Sequence, residues 1–179
     1  MFLSLFSPYA QQWSGAEDWK KRHAVLSVIG QMADPNSSAI SEAATPLLDV
    51  CVKGLKDQHV RVRWAACQAI GLLANEMKGS LSKPQREQLI IQLMQAPIIN
   101  DPSAAAVQAE ALGSVCSIVS TSARPLKEQL LAATVKYDYF VDLHLTSVFR
   151  WILTSMDSGH AFVHKAALDC LSEIGRAHV

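Results

Sequence analysis

The sequence predicts an all-α protein, a right-handed α-solenoid (superhelix) built from about four helical hairpins. Three observations carry this expectation. Apolar residues recur at helical spacing almost throughout, and no stretch shows the alternation of a half-buried strand. The chain also repeats itself. "WKKRHAVLSVIGQMA" (residues 19–33) lies over "VRVRWAACQAIGLLA" (residues 60–74) at an offset of 41, with Arg22 on Arg63, Ala24 on Ala65, Ile29 on Ile70, Gly30 on Gly71 and Ala33 on Ala74. Finally, each such helix is preceded by a polar turn and, before that, another apolar helix.

The elements follow in order, with approximate repeats at 1–33, 41–77, 84–121 and 124–175. The first hairpin pairs "FLSLFSPYAQQW" with the helix from Trp19 across the turn "SGAED". The second pairs "EAATPLLDVCVKGL" with the helix from Val60 across "KDQH". The third pairs "KPQREQLIIQLMQ" with "SAAAVQAEALGSVCSIV" across "APIINDP", and an offset of 42 puts Gly113 under Gly71. The fourth pairs "LHLTSVFRWILTSM" with "VHKAALDCLSEIG" across "DSGHA", where Val163, His164, Ala166 and Ala167 fall under Val62, Arg63, Ala65 and Ala66. This last unit is longer, and residues 124–142 are expected to insert an extra helix and a Tyr-rich connection.

The second helix of a hairpin is squeezed between its own partner and the neighbouring repeats. That explains why residues 60–74 are so thin: Ala65, Ala66, Ala69 and Gly71 let backbones approach, while Ile70, Leu72 and Leu73 fill the gaps between layers. Asp57 is expected to cap this helix by accepting from its free first-turn amides. Arg63, six residues on, is placed to bond turn carboxylates or carbonyls of its own or an adjacent repeat.

The chain has 179 residues, half of them hydrophobic, which is ample for a core. Sixteen basic residues balance sixteen acidic ones, so nothing in the net charge points to direct nucleic acid or an anionic membrane as partner. Cys51, Cys67, Cys116 and Cys170 are far apart in sequence and sit among apolar neighbours, so they read as buried small hydrophobes rather than a disulfide framework or a zinc site. That pattern fits a reducing compartment. The opening "MFLSLFSPYAQQW" has no basic n-region and is too short to span a bilayer. Both ends read as cut from a longer solenoid. Apolar surface is therefore expected on the first helix (Phe2, Leu3, Phe6) and the last (Leu168, Leu171, Ile174), with possible end-to-end self-association.

No catalytic, cofactor-binding or metal site emerges. His160 and His164 share a helical spacing, but no third ligand completes them. Asp142 and His144 resemble a base and its orienter without any Ser or Cys nucleophile in a suitable turn. No Gly-rich phosphate loop is present. The expectation is therefore a non-enzymatic protein.

The pattern Asp57, Val62, Arg63, Ala65-Ala66, Ile70-Gly71 resembles the HEAT-repeat consensus. "EDWKKRHAVLSVIGQMA" followed by "LLDVCVKGLKDQHVRVRWAACQAIGLLANEM" is similar to a middle portion of importin-β-type karyopherins. The match is good over residues 17–77, looser over 84–121 and generic beyond 124. The matched residues Trp19, Arg22, His23, Ala24, Asp57, Val62, Arg63, Ala65 and Ala66 are mainly framework positions. The resemblance implies a nuclear transport receptor, cytoplasmic and nuclear, that binds transport cargo and the Ran GTPase on its inner face and nucleoporins outside. Such receptors tend to be acidic, whereas this chain is neutral. The alternative is a HEAT scaffold of another kind: a proteasome, phosphatase or chaperone adaptor, or a TOG-like tubulin-binding array. Against the last, the third turn "APIINDP" carries no basic residue. The Trp-x-x-x-Asn ladder of armadillo-like import adaptors is absent, since His23, Gln68 and Ser155 stand four residues after tryptophans.

The candidate protein-binding residues are Trp19, Lys20, Arg61 and Trp64, near one edge of two adjacent second helices. If equal offsets stack, they form a basic-aromatic strip suited to an acidic peptide or domain, with Trp64 as anchor and Lys20 and Arg61 as steering charges. The opposing view is that the rings cover repeat junctions under Lys and Arg stems.

Overall fold

A computed structural model describes residues 2–32, 38–77, 81–96, 104–130 and 140–177. The described residues form α1 (Phe2–Ser14), α2 (Trp19–Gln31), α3 (Ser38–Gly54), α4 (Val60–Glu76), α5 (Lys83–Gln95), α6 (Ala104–Leu130), α7 (Phe140–Met156) and α8 (Ala161–Ala177), with no strand among them. Consecutive helices pair as hairpins, α1 with α2, α3 with α4, α5 with α6 and α7 with α8. The second helices α2, α4, α6 and α8 then pack on one another in a continuous row, while the first helices lean mainly on their own partners. The result is an α-solenoid, drawn tightest along the row of second helices.

Local chemistry sets the helix starts. Asp18 caps α2, its carboxylate accepting from Lys20 N at 2.9 Å. At the equivalent place in the next repeat His59 caps α4, its Nδ1 accepting from Arg61 N at 3.3 Å. The cap of α4 is therefore His59 and not Asp57. The same offset that matches Arg22 to Arg63 matches Asp18 to His59, so the capping position lies two residues after Asp57. In α5, Gln85 Oε1 reaches back to Ser82 N at 2.9 Å, and Pro84 stands in the first turn, where its missing N–H costs nothing.

The thinness of α4 has a measurable cause. Ten of its residues are buried, among them Val62, Ala65, Ala66, Ala69, Ile70, Gly71 and Leu73. A Cβ on Gly71 would lie 2.7 Å from Ser114 Oγ and 3.2 Å from Ser114 Cα on α6. The space that glycine leaves lets Ser114 Oγ sit 2.6 Å from the Cys67 carbonyl. On the other side, a Cβ on Gly30 of α2 would meet Leu72 and Ala69 of α4 at 3.3–3.5 Å. The larger side chains between layers supply the driving force. Ile29, Ile70, Leu73, Leu93, Leu112 and Ile118 are fully buried, each worth about 1.5–3 kcal/mol over exposure. Leu72, expected to fill a gap between layers, does reach over Gly30 of α2 but stays partly exposed. One apolar cluster runs from Val25 in α2 to Ile174 in α8. Cys51, Cys67, Cys116 and Cys170 all lie in it as buried thiols outside any disulfide, and burial pushes the Cys51 thiol up to about 12.

Two expectations about the last unit change. Residues 124–130 continue α6 instead of opening a separate helix, although Pro125 stands among them. The Tyr-rich connection, residues 131–139, lies outside the described residues. At the far end Leu168 is exposed and Leu171 half-buried, but Ile174 is fully buried. Ile174 follows Val163, Ala167 and Cys170 at helical spacing, so it falls on the inward face of α8. At the near end Phe6 is half-buried against the core, and the side chains of Phe2 and Leu3 lie outside the described residues.

Candidate protein-binding groove

Two arginines hold the turns from which the groove is built. Arg22 Nη1 donates to the carbonyls of Ala16 and Glu17 at 2.6 and 2.7 Å, in its own turn. Arg63 Nη1 donates to the carbonyls of Asp57 and Gln58 at 2.8 and 2.9 Å, the same two positions one repeat later. Arg22 also reaches across: its Nε and Nη2 bond the two oxygens of Asp57 at 2.6 and 2.9 Å. Asp57 in turn accepts from the His59 amide at 2.8 Å. Burial pushes the Asp57 carboxyl up, but the Arg22 and His59 hydrogen bonds and the Arg22 charge outweigh it and hold it below the usual range. Arg63 is almost fully buried, and its Nε has no hydrogen-bond partner. Ala65, Ala66 and Val62 lie in the core beside it, and Ala24 is half-buried on α2.

With the turns fixed, the first residues of α2 and α4 come together. The Trp19 indole stacks on the His59 ring, centroids 3.9 Å apart and planes within 5°. The Arg61 guanidinium lies 5.7 Å from the Trp19 centroid, and His23 meets the same indole edge-on at 6.2 Å. Trp19 is thus a half-buried platform between two repeats and not a free anchor. Lys20 and Arg61 are exposed. Beside this platform opens a groove of about 380 Å³ lined by His23, Val60, Arg61, Trp64 and Ala106. Its wall is mainly apolar, with Arg61 at its rim and the half-buried Trp64 along its side. Burial holds the His23 imidazole below the ordinary histidine range, and the charges of Arg61 and His59 lower it further.

The structure therefore brings Trp19, Arg61 and Trp64 to one place on the row of second helices, with Lys20 on the same first turn of α2 as Trp19. Sequence reasoning missed His59, Val60 and Ala106 as parts of the site and read His23 only as framework. The signal was available: at the repeat offsets of 41 and 42, His23, Trp64 and Ala106 are one position on three successive second helices. The groove exists because that position carries Trp in α4 and only Ala in α6. Elsewhere, among the described residues, no group of His, Cys, Asp and Glu is arranged to hold a metal ion, and no helix is long and apolar enough to cross a membrane. The side chains of Asp142 and His144 lie outside the described residues.

A fold of stacked hairpins whose turns are held by repeated arginines defines a class of repeat protein. Residues 19–73 match the family model of the HEAT-like repeat. The chain is also 17% identical over 169 residues to importin subunit beta-3 of Saccharomyces cerevisiae, an alignment covering 94% of this chain. It spans 14% of the length of that relative. The chain thus carries a HEAT-like repeat over residues 19–73 and resembles importin-β-type karyopherins.

Proposed function

We propose that this chain is a non-enzymatic, protein-binding section of a karyopherin-type nuclear transport receptor, working in cytoplasm and nucleus with transport cargo, the Ran GTPase and nucleoporins as partners. The observation that carries the reading is the collinear similarity to an importin over nearly the whole chain. The architecture supports it physically. Tight packing along α2, α4, α6 and α8 gives one long face of second helices, and extended faces of this sort are how repeat arrays grip other proteins. No reaction is assigned, and the groove at Trp64 needs none to act as a recognition surface.

The test is a pull-down with the full-length protein containing this chain, against Ran held in its GTP state and in its GDP state. Selective retention of the GTP form is expected. Equal retention of both forms, or of neither, removes the transport reading and leaves a HEAT scaffold of another kind.

A further inference from the structure

We propose that the groove between α2, α4 and α6 receives an acidic peptide segment through one apolar anchor side chain, with the flanking carboxylates held by Arg61 and Lys20. The inference rests on the protein-binding part of the reading above and not on nuclear transport.

The shape is the first argument. The groove's volume, about 380 Å³, is set by the small Ala106 standing where α4 carries Trp64. Its wall of Val60, Trp64 and Ala106 offers apolar surface that an aliphatic or aromatic side chain would dehydrate. Trp64 stands along the side of this space, the arrangement in which a tryptophan dominates a protein contact.

Charge complementarity is the second argument and selects the occupant. Arg61 lies at the rim, its guanidinium over the Trp19 face and its own backbone amide taken by His59. Neither Arg61 nor Lys20 is ion-paired among the described residues. The nearby Asp57 carboxylate is already spent on Arg22. The carboxylate nearest along α6, Glu110, lies one turn beyond Ala106 and outside the groove lining, and burial pushes it toward its neutral form. The Trp19–His59 stack fixes the platform beneath Arg61, so the guanidinium is oriented before a ligand arrives. A segment carrying Asp or Glu on both sides of a Leu or Phe satisfies both features. A basic segment would bring like charge to the rim.

The experiment uses the 179-residue chain and fluorescein-labelled twelve-residue peptides with Phe at the centre and Asp or Glu elsewhere, read by fluorescence anisotropy. Control peptides replace the Phe by Gly, or all the acidic residues by Lys. Ala106→Trp fills the groove without changing any charge, and Lys20→Glu with Arg61→Glu reverses the rim charge while leaving the apolar wall of Val60, Trp64 and Ala106 in place. All three positions are exposed, and thermal melting checks that each variant folds. Binding of the acidic Phe peptide is expected to weaken about tenfold or more on loss of the anchor or on Ala106→Trp, the scale of one buried apolar side chain. The charge reversal is expected to weaken it about tenfold at low salt, with a smaller effect at high salt. The proposal is overturned if the Lys peptide binds as well as the acidic one, or if the acidic peptide does not bind. It is also overturned if Ala106→Trp leaves binding intact, or if that variant abolishes self-association of the chain, which would make a second copy the occupant. Peptide binding that persists without Ran selectivity would sink the transport reading alone, and the converse would sink this one alone.

Discussion

Arg22 and Arg63 hold the same two turn carbonyls one repeat apart, yet their surroundings differ. Arg22 is partly exposed and shares its charge with Asp57, whereas Arg63 is buried with its Nε unpartnered. Removing Arg63 would leave the carbonyls of Asp57 and Gln58 without their donor in a part-buried setting. Arg63→Ala is therefore expected to destabilise the chain by ~1–3 kcal/mol, read by urea unfolding. An unchanged midpoint would mean that water replaces the guanidinium at no cost, and the framework role would be wrong. The repetition of arginine at these positions was legible in the sequence because it recurs with its flanking alanines. Its partners were legible only in outline. Asp57 was read as a helix cap because a carboxylate before a helix commonly is one. Its actual acceptor role depends on Arg22 arriving from the neighbouring repeat, which is a tertiary fact.

Between elements, two glycines aligned by sequence behave differently. Gly71 faces Ser114 across the α4–α6 junction, where an added methyl would strike the Ser114 hydroxyl and crowd the Ser114 Cα. Gly113, its equivalent in α6, would meet nothing within 4 Å. Gly71→Ala is expected to cost ~1–3 kcal/mol through displacement of α6. Gly113→Ala should instead stabilise by roughly 0.5–1 kcal/mol, as alanine replaces glycine inside a helix. Equal effects at the two sites in thermal melting would contradict the assigned junction. Pattern alone could not separate them, because the repeat register records where a small residue stands and not what approaches it. The α2–α4 junction carries its own signature in pH. The Asp57 carboxyl is held below its unfolded value, so its contribution to stability is fully present above the ordinary carboxylate range near pH ~4. That contribution is lost as pH falls through the lower, folded value. Acid unfolding of the wild-type chain should therefore be steeper than that of Asp57→Asn, which cannot titrate. Parallel acid profiles for the two proteins would show that the Arg22–Asp57 pair contributes nothing to folding.

At the scale of the molecule, the sequence was most informative about what recurs and least about what faces solvent. Hairpin order, the turns and the small-residue helices are periodic, so they could be read directly. The groove is not periodic: it arises where periodicity breaks, and the sequence shows it only as Ala106 standing in register with Trp64. The continuation of α6 through residue 130 was not legible, because Pro125 reads as a helix stop. The same quasi-one-dimensional build predicts how the chain opens. Stability in a stacked array is a sum of repeat and nearest-neighbour terms, so loss of structure begins where a repeat has one neighbour instead of two. Helix α4 is packed against α2, α3 and α6 and buries ten residues, whereas α1 leans chiefly on α2 and α8 leaves Phe162 and Leu168 exposed. Native-state hydrogen exchange should thus find the slowest amides in α4, with faster exchange in α8 and in α1. Protection must fall off in steps along the row of second helices, because each junction is a separate interface. Uniform protection across all of the helices would mean that the continuous apolar cluster from Val25 to Ile174 melts as one unit. In that case the junctions at Gly30, Gly71 and Ser114 would not be separable interfaces, and the array would behave as a single globular core.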